Sequence, residues 1–314
     1  MELSNIKKLK FSLWDLKNFN SLKFEELSIL RKLKKKKLIK IKQCLCGRKK
    51  FLFLKKIKSI KYYRCRCKNV IMNPVLNHND LNEFYKKDGI YHTIRNLSFF
   101  KEKKKLELRR LINLRKAKQL SSLLKYKGSS ILDYGFGNPD FLEACKKYSF
   151  RNLYGFDINI NKTINKKNLF LSNNLDDFKK KKFDAVTLWG VIEHLNNPKY
   201  ALSQIDNLVK SGGYIVIEAP SSESILSIFT FDLGFYANRY LEPYRHIFFF
   251  SLHSLKSFFK SMNYKLVYIE TNGLDLQTVI GNTKAEMTKK IINIQEFVDK
   301  NMLGDHYRVF FRKL

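Results

Sequence analysis

Short apolar runs alternate with amphipathic stretches along the second half of the chain. The runs predict strands at 131–134, 153–156, 169–171, 183–188, 214–220, 265–270 and 305–313. The amphipathic stretches predict helices at 139–148, 198–209 and 251–264. Strands that alternate with helices are typical of a doubly wound, mostly parallel sheet. We therefore predict an α/β domain over residues 128–314.

The first half of the chain has a different pattern. Residues 1–40 predict a basic helical segment, and residues 41–77 predict a small ribbon of two short hairpins. Residues 78–127 predict a linker followed by a long amphipathic helix, at 100–126, that covers the cleft of the α/β domain. Within that domain, residues 221–250 are rich in aromatic side chains without a strong period, and we expect them to form a cap.

The charge changes this picture little. The formal net charge is +33, but only 13 of the 61 basic residues are Arg, and Asn, Ile and Phe are also abundant. This bias is typical of AT-rich codons acting on every solvent-facing position, so it disfavours nucleic acid as the partner. The Lys excess would still attract an anionic small-molecule acceptor.

The N-terminus lacks the pattern of a secretory signal, and no apolar run approaches the roughly 20 residues of a membrane helix. We therefore expect a cytoplasmic protein without a transmembrane segment. The sequence leaves its oligomeric state open.

The segment "ILDYGFGNPDFLE", at 131–143, has the pattern of a nucleotide-binding turn. Gly135 and Gly137 follow a predicted strand and open a predicted helix, and Asp157 ends the next strand 22 residues after Gly135. Glycines let the backbone approach a ligand, and an acid at this position accepts hydrogen bonds from ribose hydroxyls. Pro139 stands near the place of a third glycine; we expect it at the first helical position, with Asn138 as the helix cap.

An ordered set of motifs identifies the nucleotide. "ILDYGFGNPDF", "YGFDIN", "FDAVTLWGVIEHLNNP", "SGGYIVIEAPS" and "EPYRHIFFFSLHSLKSFF" resemble, in order, the motifs of class I S-adenosylmethionine (SAM)-dependent methyltransferases of type 12 or 23. The resemblance implies a seven-stranded Rossmann-like sheet and SAM as the cofactor. It also implies a set of residues that contact SAM, at or just after the strand ends: Asp133, Gly135, Gly137, Asp157, Ile158, Asn174, Leu175 and Trp189.

The same resemblance places the acceptor after the fourth and fifth strands of the sheet. His246 is the leading candidate for a base or for an acceptor contact, and Glu193 and His194 face the same region. Trp189 would lie near the sulfonium or the substrate, and the alternative for it is core packing. Arg239 and Arg245 would hold an anionic group or lie on the surface.

Four of the five cysteines form two close pairs, Cys44 with Cys46 and Cys65 with Cys67. In a cytoplasmic chain such pairs favour a metal over disulfides. "QCLCG" and "YYRCRCKNVIMNP" resemble the zinc-binding module in front of many sugar-modifying methyltransferases, although both pairs here are C-x-C rather than C-x-x-C. We expect one structural zinc on the four thiolates; the alternative is a ribbon that has lost its metal.

The two resemblances together imply SAM-dependent methyl transfer to a sugar, a nucleotide sugar or a related intermediate of surface-polysaccharide or natural-product synthesis. Two alternatives stay open. One is a non-catalytic nucleic-acid-binding protein on a methyltransferase scaffold. The other is a quinone-type O-methyltransferase, although Gly190 stands where those enzymes have a further Glu.

Overall fold

The computed structural model describes residues 36–57, 60–85, 103–124, 128–160, 163–233, 246–273, 276 and 285–314. The helix predicted within residues 1–40 lies almost wholly outside these ranges. So does much of the predicted cap, at 234–245, with Arg239 and Arg245.

A mixed eight-stranded sheet forms the centre of the described chain. Its strands are β6 (Ser130–Tyr134), β7 (Asn152–Phe156), β8 (Ile164–Lys166), β9 (Leu169–Ser172), β10 (Phe183–Trp189), β11 (Val209–Pro220), β13 (Tyr264–Asn272) and β14 (His306–Lys313). They run in the order β13-β14-β11-β10-β6-β7-β9-β8, and the pairings from β11 to β9 are all parallel. The predicted α/β fold with a mostly parallel sheet is confirmed.

The sheet has one strand more than the seven expected. Ile164–Lys166 turns back on Leu169–Ser172 as an antiparallel edge hairpin. Asn168, in the turn, has φ 65°, a conformation that Asn tolerates better than most residues. Three residues with two exposed polar side chains carry too little apolar pattern to be recognised as a strand.

Helices cover both faces of this sheet. The described helices of seven or more residues are α1 (His78–Tyr85), α2 (Lys103–Leu123), α3 (Asp140–Lys146), α4 (Pro198–Asp206), α5 (Leu252–Ser261) and α6 (Ala285–Lys300). Shorter helical segments lie at Leu175–Phe178, Ile192–His194, Ile225–Ser227 and Ile228–Asp232. Ala117 and Leu120 of α2 pack with Leu142 of α3 in one core cluster, whereas Leu202 of α4 and Phe259 of α5 belong to another. No helix in the described ranges is both long enough and apolar enough to cross a membrane.

Helix α3 begins one residue later than predicted. Its cap position is Pro139, whose carbonyl accepts the Glu143 amide at 2.9 Å, and no side chain caps the helix. The expectation that Asn138 caps it is therefore wrong. With Pro139 at ψ 11°, outside the helical range, the regular helix starts only at Asp140.

The N-terminal ribbon is a four-stranded sheet completed by a distant segment. Three strands are its own: β2 (Phe51–Ile57), β3 (Ile60–Cys65) and β4 (Val70–Met72). The fourth, β12 (Phe248–Phe249), lies in the predicted cap and pairs antiparallel with β4. A two-stranded sheet, β1 (Leu38–Ile39) with β5 (Val75–Leu76), flanks the ribbon. The ribbon and the α/β domain consequently share one hydrophobic core.

Candidate active site and cysteine cluster

The glycine-rich turn follows β6 at the carboxyl edge of the parallel strands. Gly135 has φ 77° and Gly137 has φ 54°, values that side-chain-bearing residues adopt at a cost. A Cβ on Gly135 would lie 2.6 Å from Val191 Cγ2, so there is also no space for a larger residue. The Gly135 amide donates to the Phe156 carbonyl at 2.7 Å, which holds the turn against the end of β7.

Asp157 lies at the end of β7 and faces this turn. Its side chain is buried; Oδ2 accepts the Gly137 amide at 2.7 Å and Oδ1 accepts the Asn159 amide at 2.8 Å. The neighbouring Ile158 is 40% exposed and offers an apolar surface beside the turn. The structure therefore brings the predicted cofactor residues of the first two motifs together at one edge.

Asp133 lies within β6, below the turn. It is buried and accepts a hydrogen bond from Thr187 Oγ1 at 2.7 Å. Burial raises the pKa of Asp133 to about 7, although Thr187 and the nearby Lys116 both favour the carboxylate. Burial therefore moves the ionisation of Asp133 toward neutral pH.

Asn174 and Leu175 follow β9, at the same edge of the sheet. Asn174 caps the short helical turn Leu175–Phe178, and its Oδ1 accepts the Asp176 amide at 3.1 Å. Its backbone amide donates to Ser172 Oγ at 3.0 Å. The side chain thus shapes the loop, and the predicted adenine contact stays a prediction.

Trp189 ends β10 in a cationic environment that the sequence did not indicate. Lys116 Nζ lies 4.4 Å from its ring centroid and the Arg308 guanidinium 5.6 Å from it. The ring also packs at 5.2 Å, edge-on, with Phe141. These contacts show what the ring packs against, and the predicted contact of Trp189 with the sulfonium or the substrate stays a prediction.

Lys116 and Arg308 belong to a buried ion-pair network behind Trp189. Lys116 donates to Glu218 Oε1 at 2.8 Å, and Arg308 pairs with both Glu218 and Glu270. Arg115 also pairs with Glu270, at 2.7 Å. Burial alone would raise the pKa of Glu218, but Lys116 and Arg308 outweigh it and hold that pKa well below its usual range. Nothing local distinguishes Lys116 from the other lysines of the sequence.

Glu193, His194 and His246 meet beyond the end of β10. Glu193 and His194 lie in the turn Ile192–His194, and the rings of His194 and His246 have centroids 5.2 Å apart. His194 Nε2 lies 3.7 Å from Glu193 Oε1, and one donor atom from each of the three lies within 4.8 Å of the others. Glu193 and His246 are buried, and the Ile247 amide donates to the Glu193 carbonyl at 2.8 Å. The three predicted catalytic candidates therefore form one cluster.

The four ribbon cysteines form a second cluster. Cys44 Sγ lies 3.6 Å from Cys67 Sγ, and Cys46 Sγ lies 3.6 Å from Cys65 Sγ. All four sulfurs lie within 4.8 Å of one another, and no disulfide joins them. The Cys44 thiol lowers the pKa of Cys67 to about 5 by hydrogen bonding, whereas burial raises the pKa of Cys65 to about 11.

This geometry fits a zinc ion despite the C-x-C spacing. With Zn–S bonds of about 2.3 Å, a tetrahedral site has sulfurs roughly 3.8 Å apart. The two 3.6 Å pairs are close to that value. Each 3.6 Å pair joins one cysteine of the first C-x-C motif to one cysteine of the second. The fold of the ribbon, rather than the spacing within a motif, therefore determines how the four sulfurs are arranged. Zinc bound here would fix the ribbon's two turns.

The comparisons with known proteins point to one family. The model of the Methyltransf_23 family, described as a methyltransferase domain, matches residues 100–269, more than half of the chain. No curated protein matches the chain significantly.

Three solved structures illustrate the likeness. A SAM-dependent methyltransferase from Archaeoglobus fulgidus is 23% identical, with 65% of this chain and 94% of that chain covered and a TM-score of 0.45. A possible histamine N-methyltransferase from Thermotoga maritima is 15% identical (66% and 89% covered, TM-score 0.43). The 1,6-didemethyltoxoflavin-N1-methyltransferase of Burkholderia thailandensis is 12% identical (83% and 99% covered, TM-score 0.46).

The sheet order, the glycine turn at the carboxyl edge and the family match agree with one another. The chain therefore belongs to the Methyltransf_23 family and is a class I SAM-dependent methyltransferase.

Proposed function

We propose that this enzyme methylates a small-molecule acceptor, a sugar, nucleotide sugar or related intermediate of surface-polysaccharide or natural-product synthesis. The proposal depends on one observation: the predicted SAM residues and the predicted acceptor residues lie at the same edge of the sheet. The glycine turn with Asp157 lies after β6 and β7, and Glu193 and His194 lie after β10, beside His246. A methyl donor and an acceptor must meet in this way for in-line transfer.

On this proposal the glycine turn and two acids hold the cofactor. SAM supplies an electrophilic methyl group when it is bound. Gly135 and Gly137 leave the backbone free to approach it, Asp157 accepts hydrogen bonds from its ribose, and Asp133 faces its methionine end. Ile158 and Leu175 provide apolar surface for the adenine, with Asn174 beside them.

The histidine cluster would act on the acceptor. His246 takes the proton of the attacking group, or holds that group by a hydrogen bond, while Glu193 supports His194 beside it. His246 is 9% exposed and lies 6.0 Å from the Phe249 ring, between centroids, so water has little access to it. The Lys excess would draw an anionic acceptor toward the site.

The cofactor assignment is tested by calorimetric titration with SAM. Asp157→Ala removes charge-assisted hydrogen bonds of about 1.5–3 kcal/mol each, so affinity should fall roughly 10- to 150-fold. Asp184→Ala is the matched control, because Asp184 lies at the amino end of β10, where it pairs with Lys210. Equal SAM affinity in wild type and Asp157→Ala would overturn the assignment.

The acceptor assignment is tested by a methyl-transfer screen against nucleotide sugars. With the acceptor found there, His246→Ala should lower turnover by roughly 10²–10⁴-fold while SAM affinity stays unchanged. His253→Ala is the matched control, since His253 lies on the outer part of helix α5. Normal turnover in His246→Ala would return His246 to a packing role.

Metal-assisted O-transfer to a quinone-type acceptor is the second candidate. It is favoured by the three donor atoms of Glu193, His194 and His246 within 4.8 Å of one another. The same screen run with catechols, with and without added Zn²⁺, separates the two, because two imidazoles and a carboxylate suit Zn²⁺ better than Mg²⁺. Activity that requires the metal favours this candidate.

A further inference from the structure

We propose that Asn69 is a positioning residue that links a metal at the four-cysteine cluster to the placement of His246. The proposal rests on the proposed function, in which His246 acts on the acceptor, and on a zinc ion bound by the four cysteines, whose geometry fits that ion. It concerns the contact between the ribbon and the segment 246–254, which carries β12 and the start of α5.

A short stretch of sheet joins the ribbon to the segment 246–254. Strand β12 pairs with β4 of the ribbon in the register Phe248 with Ile71 and Phe249 with Val70. The Met72 amide donates to the Ile247 carbonyl at 2.8 Å, and the Ile247 amide donates to the Glu193 carbonyl at 2.8 Å. The residue next to His246 is therefore held from one side by the ribbon and from the other by the turn that carries Glu193.

The side chain of Asn69 is fully buried between the cysteine cluster and helix α5. Its Nδ2 donates to Cys44 Sγ at 3.2 Å and to Ser254 Oγ at 2.8 Å, and its Oδ1 accepts the Ser251 amide at 2.8 Å. One amide group thus bridges a cysteine of the cluster and the first turn of α5.

Ser251 caps the N-terminus of helix α5 and also contacts the ribbon. Ser251 Oγ accepts the Ser254 amide and donates to the Cys67 carbonyl, so the helix start is tied to a second cysteine residue of the ribbon. A buried donor or acceptor that loses its partner destabilises the fold, because no water replaces the lost hydrogen bond. Any displacement of Cys44 therefore has to be followed by Asn69, by Ser251 and by the short strand before it.

The consequence concerns the metal. Zinc would fix the Cys44 sulfur, and Asn69 would pass that constraint to segment 246–254. Without the metal the ribbon turn that carries Cys44 gains freedom, and the segment that carries His246 loses one of its two supports. The cysteine cluster then governs transfer although it contacts neither SAM nor the acceptor.

The experiment measures amide hydrogen exchange of segment 246–254 in full-length protein, without SAM or acceptor. Chelator-treated protein is compared with the same protein after addition of Zn²⁺. In wild type, Zn²⁺ should slow exchange of these amides roughly tenfold, the equivalent of one hydrogen bond of ordinary strength. In Asn69→Ala, exchange should be fast in both states, and Zn²⁺ should change it less than twofold.

Asn73→Ala is the matched control. Asn73 is also a ribbon asparagine, but among the described residues its side chain bonds to the Ile41 amide and carbonyl of the ribbon, at 3.0 and 3.1 Å. In this variant Zn²⁺ should still slow exchange of segment 246–254. Protection of that segment by Zn²⁺ in Asn69→Ala, to the same degree as in wild type, would overturn the proposal.

Two other results would overturn it as well: Zn²⁺ that does not bind wild type, and Zn²⁺ that binds but leaves segment 246–254 unchanged. Because the readout needs neither SAM nor an acceptor, failure of the SAM titration leaves it intact. A failure of the proposed function and a failure of this inference are therefore distinguishable.

Discussion

At the scale of single residues, Asp133 combines deep burial with a position beside the glycine turn. Its pKa of about 7 in the folded chain compares with 3.8 for an ordinary Asp, and the first cause of the rise is burial. In water the carboxylate would ionise freely, whereas here only Thr187 Oγ1, at 2.7 Å, bonds directly to it among the described contacts. The folded state therefore holds a proton that the unfolded state releases.

This difference predicts a pH dependence of stability. Asp133 contributes fully to the free energy of unfolding below about pH 4, and this contribution is lost as the pH rises to about 7, because the pKa of Asp133 is higher in the folded than in the unfolded state. Asp133→Asn, which stays neutral, should lack this loss. We expect urea titrations at pH 4, 5.5 and 7 to show wild type losing on the order of 4 kcal/mol relative to the variant. Parallel pH curves for the two proteins would contradict the prediction.

Site residues differ in how well the sequence alone predicts them. Gly135, Gly137 and Asp157 are recognisable because their spacing alone places them at neighbouring strand ends. Lys116 over Trp189 was not predictable, because the contact depends on how helix α2 packs on the sheet and Lys is common throughout the chain. Glu193, His194 and His246 were each predicted singly, and their mutual contact needed the fold.

At the scale of elements, helix α2 is fastened to the sheet by ion pairs as well as by apolar packing. Lys116 and Arg115 project from the helix to Glu218 on β11 and Glu270 on β13, with Arg308 of β14 between these two acids. Lys116 and Arg308 are almost fully buried. Removal of one acid would leave a cation in the core without its charge partner.

Glu218→Gln should therefore lower the free energy of unfolding by about 3–5 kcal/mol, the usual cost of breaking a buried pair. Urea denaturation at pH 7 measures it. Glu143→Gln is the control, since Glu143 pairs with Lys146 on the exposed side of α3 and should change stability by less than about 1 kcal/mol. A similar small change in both variants would show that the network contributes little.

The elements missed by sequence reasoning are the short ones. Strand β8 has three residues, and β12 has two residues within an apolar segment that resembles a cap. Their existence depends on a partner strand, the nearby β9 for one and the distant β4 for the other. Longer elements such as β10 and α4 carry enough pattern of their own to be predicted within one to three residues of their observed bounds.

At the scale of the whole molecule, the ribbon is a part of the methyltransferase rather than an appended module. Val70, Ile71 and Met72 of the ribbon are fully buried in the same cluster as Phe248, Phe249 and Leu255. Boundaries drawn from composition separate residues 41–77 from the rest, because the cysteine pattern is local. The shared core was not predictable from that pattern, since it joins segments far apart in sequence.

The pairing of strand β12 with the ribbon strand β4 has a consequence during synthesis of the chain. Asn69 and Ser254 are 185 residues apart, and synthesis runs at about 5–20 residues per second. Strand β4 therefore leaves the ribosome on the order of ten to forty seconds before strand β12, which pairs with its edge. Newborn chains would then display an uncovered apolar edge, a template for pairing with other chains. Translation speed and chaperone supply should accordingly govern the yield of this enzyme.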